Sequence, residues 1–304
     1  MDSRTSVDNV ALYALLRDGS LKWREIRALI ERAGSPDEAL REHLTGYLIE
    51  EEYHRALDDA RRAIAEFDAV GIHADTYLAD GYPEQLRTIH DFPPIIYWKG
   101  HREVTDLRSV AIVGTREPSE GAVRFVTELA RRLAQHRIPI VSGLAYGIDA
   151  AAMRASLEEG NRTIGVIGTG LNRSYPKEHA ALQDEIAANH LLLSQFHPDA
   201  SASPKTFPMR NVVMSGFASL TVIAEASENS GTRIQARAAV RHGRPLIISR
   251  AVFLQTTWGK SLVEDGLDVV VVSTAAEAEE AVQRIHDRRD AGAANWAVGS
   301  LFAT

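Results

Sequence analysis

Cysteine is absent from this chain of 304 residues, and long hydrophobic runs are absent as well. The first absence excludes a disulfide framework, a thiolate metal site and a cysteine nucleophile. The second argues against a membrane-spanning helix, because the longest apolar runs, such as LDVVVV at 267–272, are far too short to cross a bilayer. The first ten residues also lack the basic and apolar segments of a secretory signal. We therefore expect a cytoplasmic protein without membrane contact.

An excess of positive charge is missing too, since the formal net charge is −7. This argues against a uniformly basic nucleic-acid binder but leaves room for a local basic groove. The eleven histidines form no HxxxH or HExxH pattern, so we expect no metal site. The segment WGKS at 258–261 looks like half of a P-loop motif, but Leu254 stands where the first glycine belongs and no strand-glycine loop precedes it, so we expect no P-loop. The glycines of GVIGTG at 165–170 lack dinucleotide spacing, and no cofactor is predicted.

Helical patterns occupy residues 8–70. One helix ends at Gly34, the next begins with Ser35 as N-cap and Pro36 in the first turn, and a long final helix stops at Gly71. We interpret residues 1–72 as a small all-helical domain, whose ordinary role would be packing or interaction.

From residue 73 onward, short apolar segments alternate with helical patterns. Candidate strands lie at 95–98, 110–114, 139–143, 163–168, 190–196, 220–226, 245–249 and 268–272. Helical patterns lie at 121–136, 147–159, 177–188, 231–242, 258–265 and 275–288. Continuous Val/Ile strands joined through helices indicate a parallel sheet covered on both faces. We predict an α/β fold with a doubly wound, mostly parallel, Rossmann-like sheet over 73–288 and a short tail at 289–304.

Small and hydroxyl residues follow several of the predicted strands, where ligands bind in doubly wound sheets. The turns are Gly114-Thr115-Arg116, the segment SGLAYGID with Ser142, Gly143 and Gly147, the segment GTG at 168–170, and Ser230-Gly231-Thr232. Such turns expose backbone N–H groups that bind phosphate without carrying formal charge. Four of them at one edge of the sheet predict an anion site.

The segment SPKTFPMRN at 203–211 suits a single nucleic-acid strand better than a nucleotide pocket. Lys205 and Arg210 can pair with phosphates, and Phe207 offers a ring for an unpaired base. Asn211 can hydrogen-bond a base edge or the turn itself. The alternatives are a core aromatic that anchors a proline-rich loop and a surface ion pair for Arg210.

Two acidic residues, Asp149 and Glu225, lie at the ends of predicted strands or turns and are expected to have different roles. Asp149 is expected to stabilise the start of the helix near Ile148, because acids favour helix N-termini. Glu225 ends an apolar strand that we expect to face Ser230–Thr232, so it is the one candidate general base.

Taken in order, these motifs resemble the DprA/Smf family of DNA-processing proteins. The resemblance covers residues 82–246 and is carried by VAIVGTREPSEG, SGLAYGIDAAA, FPMRN and VIAEASENSGTRIQARAAV. The leading helices are similar to the SAM-like domain that precedes the Rossmann-like domain in many members.

The resemblance implies a cytoplasmic homodimer that binds single-stranded DNA, protects it and loads a RecA-type recombinase, in recombination or natural transformation, without catalysis. It also implies that Arg116, Ser142 and Gly143 line the phosphate path. Lys205, Phe207, Arg210 and Asn211 would complete that path, with Phe207 meeting a base.

Four features depart from the family pattern. Val212 replaces the second arginine of RNR, and SGTRIQA replaces SGSLITA, which introduces Arg233 and Gln235. The segment RAVFLQTTWGKSLVEDG replaces a proline-glycine turn beside the usual dimer face, and we expect no C-terminal winged-helix domain. These departures keep a second hypothesis open: a Rossmann-like protein that binds or hydrolyses nucleotides, as a sensor in phage defence, with Glu225 in N-glycosidic cleavage. A descendant that binds only proteins is the third.

Overall fold

The computed structural model of the protein describes residues 3–44 and 49–301, with side chains described for 3–44 and 50–291. The predicted helical domain and tail therefore extend beyond it at 1–2, 45–48 and 302–304. Within the described ranges, no helix is both long and apolar enough to cross a membrane.

Within residues 3–44 and 49–69, where helical patterns were predicted, the structure has four α-helices: α1 (Val7–Asp18), α2 (Trp23–Ala33), α3 (Pro36–His43) and α4 (Ile49–Ala69). Their ends follow from local chemistry. The Ser35 hydroxyl accepts a hydrogen bond from the Glu38 N–H at 3.1 Å and thereby caps α3. Helix α2 stops at Gly34, whose φ of +96° is readily adopted only by glycine.

In the part of the chain that the structure describes, nine strands form one sheet. They are β1 (His73–Thr76), β2 (Ile95–Gly100), β3 (Val110–Val113), β4 (Ile140–Ser142), β5 (Thr163–Val166), β6 (Leu191–Ser194), β7 (Leu220–Ile223), β8 (Leu246–Ser249) and β9 (Val269–Val272). The spatial order is β1-β2-β6-β5-β4-β3-β7-β8-β9. Strands β3 to β9 are parallel, whereas β1 and β2 add an antiparallel edge. The strand order therefore reverses between β3 and β7, and the predicted doubly wound α/β fold is confirmed.

Helices cover both faces of this sheet. They are α5 (Glu84–Arg87), α6 (Glu120–Gln135), α7 (Ile148–Glu158), α8 (Ala180–Asn189), α9 (Thr206–Phe217), α10 (Thr232–Arg241), α11 (Arg250–Gln255), α12 (Thr257–Glu264) and α13 (Ala275–Leu301). Apolar residues of α6, α7 and α13 share one core with Ile112 and Val222. Those of α9 and α10 share another with Val113 and Ile223. Neighbouring strand residues thus face opposite cores, as the pleat requires.

The four leading helices do not stand apart from the sheet. Leu12, Leu15 and Leu57 belong to the same buried cluster as Met153 of α7 and Ile186 of α8. The ring centroid of Phe67 on α4 also lies 5.8 Å from that of Tyr97 on β2, in an edge-to-face arrangement. Residue 72 therefore marks a change in the sequence pattern, but the hydrophobic core continues across it from the helices to the sheet.

Several elements differ from the sequence prediction, among them the short helices α5 and α11, which were not predicted. Residues 206–217 form helix α9 where a proline-rich loop was the alternative, because Pro208 lies in the first turn, where its missing N–H is not required. The short edge strand β1 was not predicted. Helix α13 continues to Leu301, beyond the predicted end at 288.

Buried His286 on α13 is expected to make stability fall on acidification. Its Nε2 lies 2.9 Å from Ser219 Oγ, and its Nδ1 has no hydrogen-bond partner within the described ranges. Burial, together with nearby Arg108 and Arg289, lowers the pKa of His286 to about 4. Unfolded histidine takes up a proton near pH 6.5, so this stability is present above pH 6.5 and is lost as the pH falls towards 4. The expected loss from this residue is about 2 kcal/mol between pH 7 and pH 5.

Urea unfolding of the wild type, His286→Gln and His54→Gln at pH 7 and pH 5 measures this loss. Glutamine can still donate to Ser219, and His54 is an exposed control on α4. The wild type and His54→Gln should weaken in parallel, whereas His286→Gln should weaken by about 2 kcal/mol less. Equal losses in all three proteins would contradict the assignment.

Candidate functional site

A cleft of about 430 Å³ opens at the carboxyl ends of β3 and β7, where the strand order reverses. Ligands bind at this position in doubly wound sheets. Nine of the thirteen predicted site residues line the cleft: Gly114, Thr115, Arg116, Phe207, Arg210, Asn211, Ser230, Gly231 and Thr232. The structure thus brings three distant segments of the chain into one surface.

The turn after β3 forms the first wall of the cleft and is fixed by backbone contacts. The Thr115 N–H donates to the Glu225 carbonyl at 2.8 Å, and the Ile148 N–H donates to the Thr115 carbonyl at 3.2 Å. A Cβ atom on Gly114 would lie 2.6 Å from Ile148 Cγ1, and one on Gly147 would lie 2.4 Å from the Thr115 oxygen. Both glycines therefore allow the turn after β3 to pack closely against the start of α7. The Arg116 side chain remains exposed beside the cleft.

Phe207, in the first turn of α9, forms the second wall. Its ring packs against Gly168, where a Cβ atom would lie 3.0 Å from the ring edge. The Tyr175 ring centroid is 5.4 Å away, and the Arg116 guanidinium carbon lies 5.7 Å from the Phe207 centroid. The ring is only half-buried, so it is held in place and still accessible. An arginine above a half-exposed aromatic ring is an arrangement that accepts a stacked base beside a phosphate.

Arg210 lies on the floor of the cleft and is 7% exposed. Its Nη1 donates to the Val166 carbonyl at 3.0 Å, and its Nε donates to Asn211 Oδ1 at 3.1 Å. The guanidinium occupies the space above Gly143, where a Cβ atom would lie 1.4 Å from Nη1. Gly143 is thus required for the position of Arg210. The sequence alternative of a surface ion pair for Arg210 is wrong, because the side chain is buried and holds the floor together.

Asp149 faces the same floor and is buried as well. Its Oδ2 accepts a hydrogen bond from the Gly143 N–H at 3.1 Å. Burial raises the pKa of Asp149, while Arg210 and the N–H groups of Ala145 and Gly143 act in the opposite direction. Asp149 therefore organises the turn after β4 and balances the buried charge of Arg210, beyond the helix-stabilising role that the sequence suggested.

The third wall is the N-terminus of α10. The Ser230 hydroxyl accepts a hydrogen bond from the Thr232 N–H at 3.1 Å, and Gly231 is exposed at the helix entrance. Helix N-termini attract anions through unpaired N–H groups and the helix dipole. This end of α10 can therefore receive a phosphate opposite Arg116.

Four predicted residues do not line the cleft: Ser142, Gly143, Gly147 and Lys205. The Ser142 hydroxyl is fully buried and donates to the Ile112 carbonyl at 2.7 Å. The expectation that Ser142 and Gly143 contact phosphate directly is therefore corrected, because both are buried beneath the surface. Lys205 is exposed just before α9, outside the cleft.

Glu225 is also displaced from its predicted place. Its Oε2 accepts a hydrogen bond from the Ser119 N–H at 2.8 Å, at the start of α6. The cleft lining does not include it, so the expectation that Glu225 faces Ser230–Thr232 as a general base is wrong.

Folding brings the distant His242 to the adjacent pair His90 and Asp91, and these three side chains are potential metal ligands. His242 Nε2 lies 2.7 Å from Asp91 Oδ1, and its Nδ1 lies 3.0 Å from Ser215 Oγ. Arg241 Nη2 is 3.9 Å from the same carboxylate. Both ring nitrogens of His242 are thus occupied and a cation is already present, so this cluster is explained as an ion-pair network.

The fold and the cleft define a doubly wound α/β protein whose switch point carries a cleft lined by an exposed arginine and a helix N-terminus. The chain belongs to the DNA recombination-mediator protein A family, whose model matches residues 73–282. This confirms the resemblance inferred from the motifs.

Relatives and solved structures agree with this assignment. The chain is 40% identical over 167 residues to DNA processing protein DprA of Streptococcus pneumoniae, covering 55% of this chain and 59% of the relative. It is 35% identical over 184 residues to that of Bacillus subtilis, covering 60% and 62%. The chain therefore spans about three fifths of the length of these two curated relatives.

Two solved structures are similar over most of their length. The crystal structure of Streptococcus pneumoniae DprA superimposes with a TM-score of 0.70 at 27% identity, over 89% of this chain and 96% of that one. The structure of DNA processing protein A from Helicobacter pylori, reported for its single-stranded DNA binding mode, gives a TM-score of 0.61 at 27% identity, over 69% and 96%.

Proposed function

We propose that this protein binds single-stranded DNA through the cleft between β3 and β7. Backbone phosphates would lie at the Gly114–Arg116 turn and at the N-terminus of α10, and one unpaired base would stack on Phe207. The observation that carries the proposal is the pair formed by the exposed Arg116 guanidinium and the half-exposed Phe207 ring, 5.7 Å apart. A fixed ring accepts any base, and an adjacent cation favours the backbone that links successive bases.

The charge distribution supports the same proposal. The charged residues of the cleft lining are Arg116, Arg210 and Asp149, which leaves a positive excess in a chain of net charge −7. Lys205 is exposed just outside and would extend the phosphate path along α9. A narrow local groove of this kind suits one strand better than the broad face of a duplex.

The finer parts of the proposal rest on family membership. The protein would protect single-stranded DNA in the cell interior, act as a homodimer, load a RecA-type recombinase and catalyse no reaction itself. The displacement of Glu225 from the cleft favours this view over nucleotide hydrolysis, since the one candidate base is occupied by the start of α6.

Fluorescence anisotropy with a labelled dT oligonucleotide at two salt concentrations tests the proposal. Affinity should fall steeply with salt, and a duplex of the same length should bind more weakly. Arg116→Ala should lower the affinity about fivefold and reduce the slope of log affinity against log salt by about one. Arg61→Ala is the matched control, because Arg61 is an exposed arginine on α4 that pairs with Asp58.

Absence of binding at low salt would overturn the proposal. An Arg116→Ala protein with the same affinity and salt slope as Arg61→Ala would move the DNA path away from this cleft.

A further inference from the structure

Gln235, in the first turn of α10, is buried beside the cleft without hydrogen-bond partners. It is 1% exposed and belongs to the cleft lining. Neither its Nε2 nor its Oε1 has a partner anywhere in the described ranges. Within those ranges it is also the one side chain with two such atoms. An amide with both its donor and its acceptor unused is unfavourable in a folded protein unless a water or a ligand completes it.

No side chain of the described ranges pairs with this amide. Ile234, Met214 and Pro208, which line the same cleft, offer no side-chain donor or strong acceptor. Asn211 is the nearby amide of the lining, but its Oδ1 already accepts from Arg210 Nε. The donor and acceptor of Gln235 therefore remain free for whatever enters the cleft.

We propose that Gln235 recognises the hydrogen-bonding edge of one base of the bound strand and that this base is adenine. This inference rests on the proposed function. A primary amide presents a donor and an acceptor side by side, and glutamine pairs in this bidentate way with N7 and the N6 amino group of adenine. Phe207 supplies a wall for the face of a base, Arg116 and the N-terminus of α10 supply anion sites, and the Gln235 amide supplies the edge contact. The same edge occurs in a free adenine nucleotide, which is a second source of the ligand.

Base selectivity is tested with labelled dT oligonucleotides of equal length that carry one central dA, dC, dG or dT. The wild-type protein should bind the dA-containing strand about tenfold more tightly than the all-dT strand. Gln235→Met keeps the volume of the side chain but removes the amide, so it should bind all four strands alike and lose the roughly tenfold preference for the dA-containing strand. Its unfolding temperature should equal or exceed that of the wild type, since an unpaired buried amide is lost. Gln235→Thr is a second variant, because threonine can make only a single contact.

Each outcome separates this inference from the proposed function. Binding of all four strands with equal affinity by the wild type would overturn the role of Gln235 and leave strand binding intact. A preference for dC or dG, or a preference for dA that survives in Gln235→Met, would also overturn it. Failure to bind any strand would overturn the proposed function itself. Binding of dAMP without binding of any oligonucleotide would keep the adenine contact but assign it to a free nucleotide.

Discussion

Replacement of Arg210 by alanine is expected to lower the free energy of unfolding by about 3 kcal/mol. The change leaves the Val166 carbonyl without its partner and leaves the Asp149 carboxylate buried with its nearest positive charge removed. It also opens a void above Gly143, where the guanidinium now lies. Removing one member of a buried charged pair is one of the few kinds of substitution that lower the free energy of unfolding by this much.

Urea unfolding of Arg210→Ala, Asp149→Asn and the double variant measures the coupling between the two residues. Asp149→Asn should rescue part of the loss, because the amide still accepts from the Gly143 N–H without carrying charge. Arg124→Ala, an exposed arginine on α6, should change stability by less than about 0.5 kcal/mol.

The pH dependence of Arg210→Ala has a defined sign. Without the guanidinium, the pKa of buried Asp149 should rise further, so the folded state would hold a proton that the unfolded chain has already released. The stability of this variant should therefore fall as the pH rises above the pKa of an unfolded aspartate, near 4. A loss that is independent of pH and unaffected by Asp149→Asn would contradict the coupling.

Phe207→Ala is expected to weaken the binding of a dT oligonucleotide by about tenfold to a hundredfold, the loss of one stacked base. The ring already rests on Gly168 and beside Tyr175, so it meets a base without first being ordered. Phe207→Trp should keep most of the affinity, because it retains an aromatic face at the same place.

Anisotropy titrations of both variants, with circular dichroism to confirm folding, provide the measurement. The salt slope of Phe207→Ala should match that of the wild type, since no phosphate contact is removed. An unchanged affinity in Phe207→Ala would mean that no base stacks on this ring. A loss in Phe207→Trp as large as that in Phe207→Ala would point to damage of the wall rather than to loss of stacking.

The sheet could be predicted because its strands are short apolar segments bounded by small residues, which few other structures accommodate. The segment VAIVG at 110–114 forms β3 and the first residue of the glycine turn that follows it. Helix α9 was harder, because two prolines and several polar residues at 203–211 are typical of a loop. The decisive feature is tertiary: Pro208 falls in the first turn, and the apolar residues that follow it are buried against the sheet.

The sequence predicted which residue types form the site, but not how deeply each side chain is buried or what it contacts. Arg210 carries a guanidinium that suits DNA, yet its burial depends on Gly143, which is far away in the sequence and directly beneath that guanidinium. Glu225 suited catalysis by its position after a strand, but the start of α6 lies beside it and uses its carboxylate. Gln235 was visible as a departure from the family motif, whereas its lack of partners needed the fold.

Because α1 to α4 share a hydrophobic cluster with the sheet, the part of this protein that carries the cleft is not expected to fold without those helices. A fragment that begins at residue 73 would expose the apolar surface around Met153 and Ile186 that these helices cover. Such a surface promotes aggregation. Truncations that spare every residue of the cleft can therefore still abolish its function. A related sheet domain joined to α1–α4 of this protein would likewise have to present apolar residues that pack against these helices.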